Sequence, residues 1–276
     1  MNNYEKLEGM VAATFTPLDE NGDVNLSVID KYADWIASTP IKGVFVCGTT
    51  GEFSSLTIDE RKLILEKWLV SARKRFKVIA HVGSNCQRSA MELARHAAQV
   101  GADAIASIAP SFFKPGTVDE LVDFFAPICH SAAGLPFYYY NMPSITGVNL
   151  PVDKFLVEGK KKIPNLVGTK FTHNNLMEMG VCIELEQHRF EVLHGYDEIL
   201  ISGLAMGAVA GVGSTYNYIP NVYQAIFDSM KMNDLETARH NQIKSIRTVE
   251  VIIKYGGGVR GGKAIMKLIG IDCGSC

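Results

Sequence analysis

Short apolar runs recur along the chain, each followed by a segment whose apolar residues return every three or four positions. The runs are Met10 to Thr14, Gly43 to Cys47, Val78 to Val82, Ala104 to Ala109, Pro136 to Asn141, Leu166 to Phe171, Phe190 to His194 and Ala208 to Val212. Most are continuously apolar rather than alternating, as strands covered on both faces are. Their alternation with amphipathic segments predicts parallel strands joined by crossover helices. Thr57 with Glu60, Ser89 with Glu92 and Thr117 with Glu120 have the spacing of capping boxes, which opens helices after the second, third and fourth runs. In the first of these helices Ile64, Leu65, Trp68, Leu69 and Ala72 share a face, while Arg61, Glu66, Lys67 and Arg73 fall largely away from it. Gly101 ends the helix that Ser89 opens, where a residue without a side chain can take the left-handed cap.

Eight strand–helix units with no Gly/Ser/Pro-rich linker between them predict one closed α/β domain, a (β/α)8 TIM barrel over residues 1–232. Asn233 is expected to cap a further helix with Leu235, Ala238, Ile243, Ile246 and Ile253 on its apolar side, so that residues 233–276 form a C-terminal helical extension of the same domain. The alternative, an open doubly wound sheet, requires a G-x-G-x-x-G turn after an early strand; the glycines from Gly256 to Gly262 follow a helix instead. From Ile199 to Phe227 no residue is charged, and Gly203, Gly207 and Gly211 have the small-xxx-small spacing of packed membrane helices. Ser202, Ser214, Thr215, Asn217, Pro220, Asn221 and Gln224 interrupt the stretch, so it reads as a buried helix followed by a buried strand rather than a membrane span.

Composition narrows the function. Of the 276 residues 47% are hydrophobic and 20% charged, enough apolar material for a large core. With 27 Lys+Arg against 29 Asp+Glu the net charge is -2, which offers no electrostatic footprint for nucleic acid or anionic lipid. The six cysteines, at 47, 86, 129, 182, 273 and 276, are mostly far apart, as reduced cytoplasmic thiols are, and the terminal Cys273-x-x-Cys276 has no second ligand pair for a metal. His81, His173 and His194 also lack metal-ligand spacing and read as packing or hydrogen-bonding groups, so no metal site is expected. Met1 to Met10 carries charge and no apolar core of a secretory signal, which predicts a cytoplasmic protein.

A barrel of this kind builds its site from the C-terminal ends of its strands. Strand two ends in Gly48-Thr49-Thr50-Gly51-Glu52, strand five in Tyr140-Asn141, strand six in Lys170-Phe171-Thr172, strand seven in Gly195-Tyr196-Asp197-Glu198 and strand eight in Gly213-Ser214-Thr215. Lys170 sits within a strand that should be buried. At an ordinary pKa only about one lysine in 2,500 is neutral at pH 7, and burial multiplies that fraction about tenfold for each pH unit of depression, which is how a Schiff-base lysine is made. A lysine that snorkels or pairs with a carboxylate has the same pattern. Tyr138, Tyr139 and Tyr140 alternate faces, so one or two point inward, either as core residues or, for Tyr140, as a proton carrier beside an imine. Thr49 and Thr50 between glycines make either an ordinary turn or a carboxylate pocket of hydroxyls and approachable amides.

Taken in order, Gly48–Glu52, Tyr140–Pro143 and Lys170 resemble the G-x-T-G-E loop, the Y-N-x-P strand end and the Schiff-base lysine of the pyruvate-dependent class I aldolases, the family of the dihydrodipicolinate synthases and N-acetylneuraminate lyases. The likeness spans nearly the whole chain and implies catalysis by Lys170 and Tyr140 through a covalent imine, with no cofactor. The synthases usually carry arginine in a P-S-R-T-G pattern, where this chain has Ile145 in Pro143–Gly147. The ends of strands seven and eight resemble the lyase branch instead. That implies cleavage of N-acetylneuraminate to N-acetylmannosamine and pyruvate, with Thr49 and Thr50 on the carboxylate and Thr172, Gly195, Asp197, Glu198 and Ser214 on the sugar chain. A 2-keto-3-deoxy sugar acid aldolase, a dihydrodipicolinate synthase and a non-catalytic sialic-acid sensor are the alternatives. The resemblance also implies a homotetramer. Bacterial members often lend a tyrosine to a neighbouring subunit after strand four; Ser111–Pro115 has no phenol there and resembles the animal type. Relatives usually continue into more helix where this chain stops at Cys276, so either a segment is absent or this member ends early.

Overall fold

A computed structural model describes residues 5–276; the first four residues of the charged N-terminal stretch lie outside the described residues. Eight strands, β1 (Gly9–Ala13), β2 (Gly43–Val46), β3 (Lys77–His81), β4 (Ala104–Ile108), β5 (Phe137–Asn141), β6 (Leu166–Phe171), β7 (Glu191–His194) and β8 (Ala210–Gly213), pair in parallel in sequence order. Pairing of β1 with β8 closes the barrel, which excludes the open sheet. Helices follow the strands in turn: α1 (Val28–Ala37), α2 (Ile58–Ala72), α3 (Gln87–Val100), α4 (Val118–His130), the short α5 (Pro143–Thr146), α6 (Val152–Lys162), α7 (Leu176–Glu184), α8 (Leu200–Ala205) and α9 (Pro220–Lys231). Two more, α10 (Leu235–Lys254) and α11 (Gly258–Leu268), pack on the barrel as the expected extension.

Two apolar layers follow from strand alternation. Val11, Phe45, Ile79, Ala106, Tyr138 and Tyr140 are among the side chains filling the barrel interior. Val44, Val78, Ile105, Tyr139 and Phe171 face the helices. The interior is a packed core with the candidate site's polar groups at the C-terminal rim, where a barrel builds its site, while Glu191, at the start of β7, accepts from the Tyr138 hydroxyl and the Leu7 amide toward the other end.

Several local expectations are corrected. Thr57 does form the box with Glu60, and Thr117 accepts from the Glu120 amide. Ser89, however, lies inside α3, whose N-cap is Cys86, and Glu92 pairs with Lys62 instead. Gly101 closes that helix at φ +85° as expected. Asp234, not Asn233, caps α10; its side chain accepts from the Thr237 amide while Asn233 turns the chain at φ +58°. Arg61 does not leave the buried face of α2: it donates to the Gly83 carbonyl at 2.9 Å and the His81 carbonyl at 2.7 Å, carbonyls at and beyond the end of β3 that need a donor. On α10, Leu235, Ile243 and Ile253 are exposed, and the helix buries Ala238, Asn241, Gln242, Ser245 and Ile252. The last strand begins at Ala210 rather than Ala208, because the Ala208 amide closes α8 on the Gly203 carbonyl. The uncharged stretch from Ile199 to Phe227 is the short α8, the buried β8 and α9, and among the described residues no helix is long and apolar enough to cross a membrane.

Candidate active site

Parallel register sets the centre. Tyr140 on β5 is the direct partner of Lys170 on β6, so both side chains enter the barrel at one level. The Lys170 amine stands 4.1 Å from the Tyr140 ring centroid and 4.3 Å from that of Phe45. Lys170 is 4% exposed and its pKa is brought down to about 7, chiefly by burial, with Asp197 partly opposing. Aromatic faces also favour the cation, but desolvation prevails, and at neutral pH about half of the amines carry a free lone pair, a gain on the order of a thousandfold over an exposed lysine.

Around the amine stand two half-sites. On one side, Cys47 takes a left-handed turn (φ +53°) at the end of β2 and sends Gly48–Gly51 over the barrel mouth, where Thr49 and Thr50 stand half-buried. The Thr49 hydroxyl lies 3.2 Å from the Tyr140 hydroxyl, which also donates to the Met142 sulfur at 3.1 Å. Burial pushes the Tyr140 phenol up to about 12, tempered by Thr49, so its resting form is protonated. His81 braces this side: its Nδ1–H donates to the Cys47 carbonyl at 2.8 Å and its Nε2 accepts from the Ile108 amide at 3.3 Å. Burial, reinforced by Arg61, holds it neutral. It is the hydrogen-bonding group that the sequence suggested. Glu52, which ends the loop, pairs at 2.7 Å with Lys263, a buried lysine on α11.

On the other side Asp197 is buried in a one-turn helix after β7 (Asp197–Ile199), and its carboxylate accepts from the Thr215 amide at 2.8 Å and the Thr215 hydroxyl at 2.6 Å. Burial raises it to about 6, with Thr215 pulling down. Two glycines make room. A Cβ on Gly213 would lie 1.8 Å from the Asp197 Oδ1, and one on Gly195 would lie 1.9 Å from the Thr172 hydroxyl. Glu198 and Ser214 stand half-buried beside them.

All nine residues predicted for the site therefore come to one end of the barrel. Phe45, beneath the amine, and Thr215, beneath Asp197, were missed; Phe45 occupies an alternate position of β2, and Thr215 lies in the Gly-Ser-Thr strand end itself. The exposed Phe112 and Phe113 fill the segment after β4 where no phenol was found. His194 is buried on the outer face of β7, packed under Gly203, where burial pulls it down to about 4. The six cysteines are all free, and no three His, Cys, Asp or Glu side chains cluster as a metal would require among the described residues.

The chain matches known proteins over nearly its whole length. Residues 6–276 match the Dihydrodipicolinate synthetase family. The chain belongs to that family. It is 43% identical to the mouse N-acetylneuraminate lyase over 274 residues, covering 98% of this chain and 86% of that protein. The Proteus mirabilis N-acetylneuraminate lyase superposes with a TM-score of 0.96 at 37% identity, covering 99% of this chain and 92% of the other. The enzyme from Aliivibrio salmonicida, named N-acetylneuraminate lyase or sialic acid aldolase, gives a TM-score of 0.95 at 38% identity, covering 98% and 90%.

Proposed function

We propose that this chain is an N-acetylneuraminate lyase, a class I aldolase that cleaves N-acetylneuraminate reversibly to N-acetylmannosamine and pyruvate. The observation that carries the reading is a buried amine with its pKa near neutrality, facing a phenol and flanked by a hydroxyl loop and a carboxylate. Neutral Lys170 attacks the C2 ketone of the open-chain sugar acid, whose carboxylate is held by Thr49, Thr50 and nearby amides. The addition gives a carbinolamine; protonation of its hydroxyl and loss of water leave a protonated imine, and its positive nitrogen is the electron sink for breaking C3 from C4, the proton taken up here being given back when the imine is hydrolysed.

As that bond breaks, the C4 hydroxyl gives its proton to Tyr140. A phenol that is protonated at rest can accept only by passing its own proton on, and Thr49 connects it to the substrate carboxylate. The C4 carbon leaves as the aldehyde of N-acetylmannosamine. The proton then returns to C3 of the enamine, and water hydrolyses the imine to release pyruvate and the free amine. Thr172, Asp197, Glu198 and Ser214 hold the hydroxyls of the sugar chain, and Gly195 leaves space for Thr172. A polyhydroxylated ligand needs such fixed partners because each buried hydroxyl gives up water.

Residues 1–232 as barrel and 233–276 as its extension, from the strand–helix pattern, a cytoplasmic location, from the N-terminal stretch and the cysteines, and homotetrameric assembly, from the resemblance, belong to the same reading. Incubation with pyruvate followed by borohydride should reduce the imine onto Lys170; label elsewhere, or none, overturns the mechanism. Cleavage of N-acetylneuraminate should exceed that of 2-keto-3-deoxy sugar acids. The reverse order, or tight binding without turnover, would replace the lyase by one of the alternatives.

A further inference from the structure

We propose that Gln242 and Ser245, on α10 outside the barrel, are positioning residues that set Asp197 against the sugar, so that the extension governs recognition of the sugar half of the substrate and leaves the pyruvate half alone. This rests on the reading of Asp197 as a sugar-binding acid.

The face that α10 turns to the barrel carries polar groups where a stripe of isoleucines was expected, and two of them, Gln242 and Ser245, meet at one place. The Gln242 amide nitrogen donates to the Asp197 carbonyl at 3.0 Å, and its amide oxygen accepts from the Ile201 amide at 2.9 Å. One side chain thus bridges the first residue of the one-turn helix to the first turn of α8. The Ser245 hydroxyl donates to the same Asp197 carbonyl at 3.2 Å and lies 2.7 Å from the Tyr223 hydroxyl. Tyr223 in turn meets the Thr215 hydroxyl, which donates to the Asp197 carboxylate. The chain of contacts leaves the backbone of Asp197, passes through α10 and α9, and returns to its side chain through the end of β8.

Every member of this ring is buried. Asp197 follows a strand end and precedes a helix of only six residues, so little regular structure of its own fixes its direction. Removing Gln242 takes the acceptor from the Ile201 amide and one donor from the Asp197 carbonyl, which keeps Ser245 and the Leu200 amide; a backbone amide that has lost its partner turns the segment until it finds one. A tilt there moves the carboxylate relative to the sugar hydroxyls. Lys170, Tyr140 and Thr49 hang on β6, β5 and the β2 loop; the ring makes no hydrogen bond to them and reaches the amine only through the charge of Asp197.

The test uses the full-length enzyme and three variants. Gln242→Met keeps the length and loses both hydrogen bonds. Gln242→Glu keeps the acceptor for Ile201 but places an oxygen against the Asp197 carbonyl. Ser245→Ala removes the second donor. Loss of one well-made buried bond predicts that KM for N-acetylneuraminate, and for N-acetylmannosamine in the condensation direction, rises about tenfold in Gln242→Met and Gln242→Glu and a few-fold in Ser245→Ala. Half-saturation of borohydride-trapped imine by pyruvate should stay at the wild-type value in all three. Gln242→Glu behaving as wild type would show that only the Ile201 contact matters, and would overturn the proposal. So would pyruvate and sugar constants moving together, or kcat falling in step with the titre of trappable sites at constant KM. If Gln242→Met fails to fold, Ser245→Ala reads the same ring. Absence of pyruvate trapping in the wild-type enzyme would instead defeat the lyase reading itself.

Discussion

Replacing Lys170 by methionine should abolish activity and make the fold more stable. The lysine keeps its proton in the unfolded chain up to a pKa of 10.5 but only to about 7 in the folded one. At about 1.4 kcal/mol for each pH unit, burying the amine costs about 4 kcal/mol at pH 7. Methionine fills a similar volume without a charge to desolvate, and loses only the contacts of the cation with Phe45 and Tyr140, worth about 1–2 kcal/mol. A net gain of about 2–3 kcal/mol follows. The sign is set by proton count: between pH 7 and 10.5 the unfolded state binds more protons, so wild-type stability rises through that window while the variant, lacking the group, does not share the rise. The gain is therefore fully present below about pH 7 and fades as pH approaches 10.5. Equilibrium urea unfolding of both proteins at pH 6.5, 8 and 9.5 measures it. A variant less stable than wild type at pH 6.5, or a gap that stays constant to pH 9.5, would mean that the amine is not held neutral by burial.

The same lowered pKa predicts that the rate of imine formation with pyruvate, read by borohydride trapping, climbs about tenfold per pH unit below pH 7 and levels off above it; a continued climb to pH 10 would contradict a pKa of about 7. Tyr140→Phe should trap pyruvate normally, because the amine is untouched, while cleavage of N-acetylneuraminate falls about a hundredfold or more for want of the relay. Equal loss in both assays would reduce Tyr140 to packing. Lys263→Met leaves Glu52 without its partner near the base of the threonine loop, and should lower stability by about 2 kcal/mol and raise the half-saturating pyruvate concentration; an unchanged pyruvate constant would separate the loop from the ion pair.

The strands were legible because a parallel barrel covers both faces of each, leaving continuous apolar runs that little else produces. Lys170, Tyr140 and the two threonines were legible for the complementary reason, as polar groups at the ends of those runs. What escaped detection depended on tertiary partners. The Ser89 spacing is that of a cap, yet the helix already starts at Gln87, because Cys86 takes the extended N-cap conformation and its amide bonds to Ser84. Arg61 sits at a helical position that solvent would suit, and only the carbonyls beyond β3 explain its burial. On α10, isoleucine periodicity pointed to the wrong face: the barrel surface there presents a carbonyl and an amide, and Gln242 and Ser245 answer them. Such complementarity has no one-dimensional signature.

Gly195 and Gly213 place a limit on how this pocket can diversify. Neither tolerates so much as a methyl group, since each already has the business end of a neighbour, Thr172 or Asp197, where the methyl would stand. A one-step mutational walk away from glycine collides at once; trimming the Asp197 carboxylate relieves Gly213, whereas at Gly195 the Thr172 Cβ at 2.8 Å and Cα at 3.0 Å remain close even after its hydroxyl is gone. Any library meant to redirect the enzyme toward other sugars should therefore keep 195 as glycine and randomise 197 with 213 as a couple, because the route to new specificity there runs through paired changes that single-site scans never visit.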